Sequence, residues 1–223
     1  MLLDRFYRKI KTMIQTYILR DKFHVAYKNW VSVNGDKTLR LKYPLNSNSV
    51  VFDIGGFRGD FVKDITDKYQ CHLHFFEPVH SFCEFAKSRQ FIQKEKIIFN
   101  NFGLGHMDEA VEITIQNDST SVFKANNSEA TEKITIKQFS NYVKDHNISQ
   151  IDLIKINIEG GEYPLLNHII DYNLHLICRN IQIQFHNFFD NSIKERERIR
   201  LKLSKTHRLT YDYYFIWENW ELK

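Results

Sequence analysis

The chain has 223 residues, long enough for one sizeable α/β domain and short for two. A hydrophobic content of 43% and an aromatic content of 14% fit a packed core and exclude a disordered chain, while a formal charge of +4 is too mild to imply a nucleic-acid partner. Cys71, Cys83 and Cys178 stand apart with no C-x-x-C pair, which speaks against a disulfide framework or structural zinc and points to a reducing, cytoplasmic setting.

Residues 1–30 read as a separate basic amphipathic helix or helix pair. Leu3, Phe6, Ile10, Met13, Ile14, Tyr17 and Ile18 mark one helical face, and Arg5, Arg8, Lys9, Lys11, Arg20, Lys22 and Lys28 outnumber Asp4 and Asp21. Such a segment packs on the domain or on a second subunit of a homodimer, covers an acceptor site, or makes peripheral contact with an anionic membrane surface. No apolar stretch approaches the length of a membrane span, and charges come too early for a signal peptide. Residues 31–223 then form one domain, entered through Asn34-Gly35, a hairpin signal, and a short ribbon in which Leu39, Leu41 and Tyr43 alternate with Arg40 and Lys42.

Val50, Val51 and Phe52 suit a strand buried on both faces, ended by Asp53, Gly55, Gly56 and Gly59. Phe61, Val62, Ile65 and Tyr69 follow at helical spacing. Strand, glycine turn and helix N-terminus make a ligand cradle in which glycines admit close backbone approach. A dinucleotide fingerprint needs glycine at position 54, and Ile54 stands there, which weakens a nicotinamide-dependent oxidoreductase. A carboxylate at the strand end suits a cationic ligand instead, and S-adenosylmethionine (SAM) carries an ammonium and a sulfonium. The next strand, Cys71–Phe76, closes on Glu77 and Pro78 about 20 residues further on, the usual distance to an acid that accepts from ribose hydroxyls. Asp53 and Glu77 are thus the expected anchors, and His72 and His74 read as surface or core residues.

A helix through Phe82, Phe85 and Ala86 precedes a third strand, Ile97–Phe99, whose end at Asn101 and Phe102 falls where an adenine would lie. Val111, Ile113 and Ile115, then Ile134 and Ile136, alternate like half-exposed strands, a ribbon added to the central sheet around the polar loop Asn117–Ser121. A helix through Phe139, Tyr142 and Val143 leads to the strand Ile151–Ile158, which ends on Glu159, Gly160, Gly161 and Glu162 before a helix with Pro164 near its start. Within that strand Lys155 either has a carboxylate partner, Asp152 or Glu159, or lines the site, because an unpaired buried charge is costly. Ile181–Phe185 is one more strand, ending at His186 and Asn187. A charged helix over residues 192–204 and a closing aromatic hairpin or terminal strand follow, with Trp217 and Trp220 placed to stack on a sugar ring or to pack on the sheet edge.

The segments DIGGFRGDF at 53–61, FFEP at 75–78, NFGLG at 101–105, DLIKINIEGGEYPLL at 152–166 and QFHNF at 184–188 resemble the FkbM family of SAM-dependent methyltransferases. The likeness spans roughly residues 50–190. It implies a class I methyltransferase (Rossmann-like) fold, with a mostly parallel central sheet, helices on both faces and a terminal antiparallel strand. It also implies SAM as cofactor and O-methylation of sugars, polyketides or related hydroxylated compounds. The ending WENW is similar to members associated with surface polysaccharides, which makes a glycan precursor the expected acceptor. The family usually has aspartate at the position of Asn157 and often glutamate near Gln184, so this chain lacks two acids on the acceptor side.

Methyl transfer from a sulfonium is an in-line displacement, so the protein mainly positions the acceptor oxygen and removes its proton. The strand ends offer Asn157, Glu159, Gln184 and His186. His186 is the leading general base because an imidazole titrates near neutral pH, and Glu159 is the second. No His or Cys cluster has metal spacing, so no metal is expected. The missing acids at 157 and 184 also allow a catalytically silent SAM-binding subunit.

Overall fold

The apolar run of Val50–Ile54 forms β1 in the computed structural model, which describes residues 11–12, 14–115, 120–121 and 131–223. β1 lies between β2 (His72–Phe76) and β8 (Leu153–Ile156) in a seven-stranded sheet of order β10-β11-β9-β8-β1-β2-β3. β3 (Ile97–Asn100) and β9 (Asn180–Ile183) extend the parallel part, and β11 (Trp217–Leu222) runs antiparallel to β9, with β10 (His207–Tyr213) at the edge. The central strands are apolar on both faces because helices cover both. On one face Val51, Leu73, Phe75 and Leu153 pack against Phe61, Val62 and Ile65 of α2 (Asp60–Tyr69) and Cys83 and Ala86 of α3 (His80–Ser88). On the other, Phe52, Ile54, Phe76, Ile154 and Ile156 meet α4 (Phe139–Asp145), α5 (Glu162–Asp171) and α6 (Ser192–Leu203).

The alternating ribbon does not extend this sheet. β4 (Gly103–Gly105), β5 (Glu109–Ile115), β6 (Thr120–Ser121) and β7 (Thr131–Gln138) form a second sheet of order β4-β7-β5-β6. Alternation identifies half-buried strands and says nothing of what they pair with. Here Ile113 and Ile134 are buried against Val79 and Phe82 at the start of α3, and Ile136 sits on Gly103 and Gly105, where an added Cβ would come within 2.6 and 2.5 Å of its side chain. Residues 117–119 of the expected polar loop lie outside the described residues.

The N-terminal segment is helical over most of its described residues. Residues 1–10 and Met13 lie outside the described residues; a π-helical turn at Ile14–Ile18 is followed by α1 (Lys22–Ser32). The Asp21 side chain caps α1 by accepting from the His24 N–H at 3.0 Å. The helix runs through position 30, and Ala26 and Trp30 bury against Ile216 and Trp217. Asn34-Gly35 ends this helix instead of turning a hairpin: Asn34 has φ +50, and a Cβ on Gly35 would meet the Trp30 ring at 2.3 Å. A 3-10 turn at Leu39–Leu41 replaces the expected ribbon.

Trp217 and Trp220 are packing residues. Both are buried, Trp217 under the Arg40 guanidinium at 4.2 Å and Trp220 with its Nε1–H donating to Glu218 at 2.8 Å. Beside them, fully buried Gln182 donates to the Tyr43 hydroxyl at 2.6 Å and to the Tyr211 hydroxyl at 3.1 Å, a polar network that ties residues 40–43 to the antiparallel strands.

Candidate active site

The carboxyl ends of β1, β2 and β8 face the second sheet across a cleft of about 390 Å³. Gly55, Phe57, Glu77, Pro78, Asn157, Ile158 and Glu159 line it from the central sheet, and Gly103, Leu104, His106, Glu109, Val111, Ile113, Ile134 and Ile136 from the other side. Most of this wall is apolar, with polar groups few and placed, as in small-molecule sites. The sequence reading missed the whole second wall. A broader groove of about 580 Å³ between β7 and α4 contains none of the central strand ends.

Of the two expected anchors, Glu77 lines the cleft. Its carboxylate is buried at the cleft, accepting from the Phe57 N–H at 2.8 Å and the Val79 N–H at 2.9 Å. Burial pushes its pKa up to about 7 despite those two bonds. Asp53 is not at the cleft. Its side chain is wholly buried and pairs with Lys155 at 2.8 Å, so the cation beside it is the protein's own. The register of β1 on β8 sets Asp53 opposite Lys155, and the Lys155 ammonium also donates to the Gly55 carbonyl at 2.6 Å, closing the turn. Neither expected partner serves: Asp152 accepts from the Val50 N–H at the other end of β1, and Glu159 faces His186.

The glycines hold the elements together at the cleft floor. Gly55 has φ +76, and a Cβ there would lie 1.9 Å from the Asn157 carbonyl oxygen. Gly56 gives way to the Phe75 ring at 2.0 Å, and Gly59, also at φ +76, to Ala86 of α3 at 3.0 Å. Pro78 lines the cleft as expected. Asn101 and Phe102 do not. Asn101 points its amide away, donating to the carbonyls of Glu77 and Pro78 at 3.0 Å each, which fixes the β2 tip. Phe102 turns into the core beside Phe76 and Tyr142, under Lys137 at 4.2 Å. The chain bends sharply after β3, and that bend was not readable from the apolar pattern.

At the β8 end, Asn157 and Glu159 reach the cleft. Asn157 Oδ1 is buried without a hydrogen-bond partner among the described residues, an acceptor held ready at the cleft floor. Glu159 has φ +51 on a turn continued by Gly160 at φ +106. Fully buried Glu162 secures that turn, accepting from the Gly160 N–H and the His186 N–H, each at 2.7 Å. The His186 ring lies between two carboxylates, with Nδ1 3.1 Å from Glu162 and Nε2 3.5 Å from Glu159. His186 therefore stands behind Glu159 and does not line the cleft, and half-buried Gln184 is likewise off it. His74 is a core residue: it shares a 2.7 Å hydrogen bond with the Tyr142 hydroxyl, and burial lowers its pKa to about 4.

This donor set fits a nucleoside: apolar walls for a base, a carboxylate for ribose hydroxyls and the unpartnered Asn157 oxygen for an N–H donor. The sequence profile of the Methyltransferase FkbM domain matches residues 53–213. Among solved structures, a putative rRNA methylase from Clostridium thermocellum is similar at 8% identity over 86% of this chain and 97% of that one, with a TM-score of 0.49. TrmK of M. capricolum, in complex with S-adenosyl-homocysteine, is similar at 13% identity over 84% and 68%, with a TM-score of 0.44. The chain has no match among curated protein sequences. The match covers most of the chain, including the three cleft-lining strand ends and the second sheet that faces them, and the chain belongs to the FkbM family of SAM-dependent methyltransferases.

Proposed function

We propose that the chain is an O-methyltransferase whose acceptor is a hydroxyl of a sugar or surface-glycan precursor, with Glu159 taking the acceptor proton. The observation that carries this reading is the line Glu162, His186, Glu159 ending at the cleft: a carboxylate exposed to the acceptor, backed by an imidazole that a second, buried carboxylate orients. SAM supplies an electrophilic methyl on a sulfonium. The chain's own residues then have three tasks: Glu77 and Asn157 hold the donor's hydroxyl and N–H groups, the β5–β7 wall excludes water, and Glu159 receives a proton that His186 can share. His106 and Glu109 add polar groups to the same cleft, which suits a molecule with several hydroxyls. The roles expected of His186 and Glu159 are exchanged in this reading, because only Glu159 lines the cleft.

The test is transfer of a labelled methyl group to a panel of glycosides, polyketide alcohols and amines. The proposal expects an ether product on a glycoside, and Glu159→Gln lowering kcat by about 100-fold or more while leaving donor affinity within a few-fold. Methylation confined to amines, or donor binding with no turnover on any hydroxylated acceptor, would overturn it; the latter is the behaviour of a silent SAM-binding subunit.

A further inference from the structure

We propose that α1 is a docking helix for an anionic lipid surface. On an α-helix each step of four residues advances about 40° around the axis, so Phe23, Tyr27 and Val31 form one stripe. All three are exposed, at 44%, 53% and 58%. Ala26 and Trp30 lie directly beside this stripe and are buried against Ile216 and Trp217. The apolar face of α1 is thus about twice as wide as the protein body covers. Just before α1 in the chain, Ile18 and Leu19 are also exposed, at 73% and 68%. Scattered exposed apolar residues are ordinary, but a contiguous row on one helix marks a contact surface.

Charge selects the occupant. The first 33 residues hold seven Lys and Arg and two Asp, and the other 190 hold 24 Lys and Arg and 25 Asp and Glu, against 31 and 27 in the whole chain. The positive excess of the sequence therefore lies in its first 33 residues, and α1 itself carries Lys22 and Lys28 and no acid. Lys28 lies beyond Val31 on the uncovered side of α1, and exposed Lys22 lies beyond Ala26 on the other flank, 5.8 Å from the Tyr214 ring centroid, so cations stand on both flanks of the helix, as on one lying in a lipid interface. A second copy of the chain would bring the same cations against each other, which disfavours a symmetric pairing through this stripe. No described helix is long and apolar enough to cross a membrane, so contact is peripheral. α1 is seated where β11 starts, beside the carboxyl end of β9, so the stripe lies toward the strand-tip end of the sheet.

The experiment sediments the full chain with vesicles of phosphatidylcholine and with vesicles containing about 30% phosphatidylglycerol. The expected result is binding favoured roughly 10-fold or more by the anionic vesicles, reduced by salt, and abolished in Phe23→Ser/Tyr27→Ser/Val31→Ser, which retains S-adenosylhomocysteine binding. Should that triple variant not fold, Lys22→Glu/Lys28→Glu keeps the stripe and is expected to lose the anionic preference. Equal binding to both vesicle types, unchanged binding by either variant, or a dimer that the stripe substitutions convert to monomer without lipid binding in the parent chain would overturn the proposal.

Discussion

Glu77 and Lys155 show how burial changes what a charged residue can do. The Glu77 carboxyl titrates near pH 7 in the folded chain against 4.5 ordinarily, because it is buried at the cleft. The native state then holds an extra proton between those values. Its contribution to stability is full below about pH 4.5 and is lost as pH rises through about 7. Ribose hydroxyls need the carboxylate as acceptor, so S-adenosylhomocysteine affinity is expected to rise from pH 6 to pH 8. Glu77→Gln should flatten that profile in calorimetric titrations; a profile unchanged in Glu77→Gln would assign the titration elsewhere. Lys155 is the opposite case, a cation whose task is structural. Removing it leaves Asp53 charged and buried, so Lys155→Met is expected to cost about 3–5 kcal/mol, a fall in Tm on the order of 10 °C. Asp53→Asn/Lys155→Met should recover part of that loss in thermal unfolding, since no buried charge is then left unpaired.

At the scale of elements, the strand ends were legible in the sequence and their partners were not. β1, β2, β8 and β9 announce themselves through short apolar runs ended by Gly, Glu-Pro or His, β3 through one ended by Asn, and the terminal hairpin through alternating aromatics, and local pattern is enough for that. The second sheet was misplaced because alternation in β5 and β7 is local, while pairing with β4 and packing on α3 are not. Lys155 was correctly assigned a carboxylate, but the partner depends on the register between strands 100 residues apart in the chain, which puts Asp53 beside it. Asn101 and Phe102 were expected at the cleft from fold-level position, and a bend after β3 turns them away. Gly55 links two of these elements and gives a sharp test. Gly55→Ala would strain a left-handed backbone and press on Asn157 from 1.9 Å, so the β8 tip must shift. Donor affinity is expected to fall by about 10-fold or more in titrations, well beyond what Glu159→Gln causes.

For the whole molecule, the cleft is formed between two sheets, and only the native chain brings them together. A ligand that occupies it binds the folded state alone and must raise its stability. At a concentration about 100 times Kd, S-adenosylhomocysteine is expected to add about 2.7 kcal/mol, which for a chain of this size raises Tm by roughly 5–10 °C in thermal unfolding. α1 lies outside this linkage, since its exposed stripe touches neither sheet wall. Stripe substitutions should leave the ligand-induced rise intact.

Calorimetric titration with S-adenosylhomocysteine addresses the central claim, that the strand tips bearing Glu77 and Asn157 hold the methyl donor with Glu159 at the acceptor side. The account predicts one site in the native chain, its loss in Glu77→Ala, and near-native affinity in Glu159→Gln. No binding to the native chain, or undiminished binding to Glu77→Ala, would contradict it.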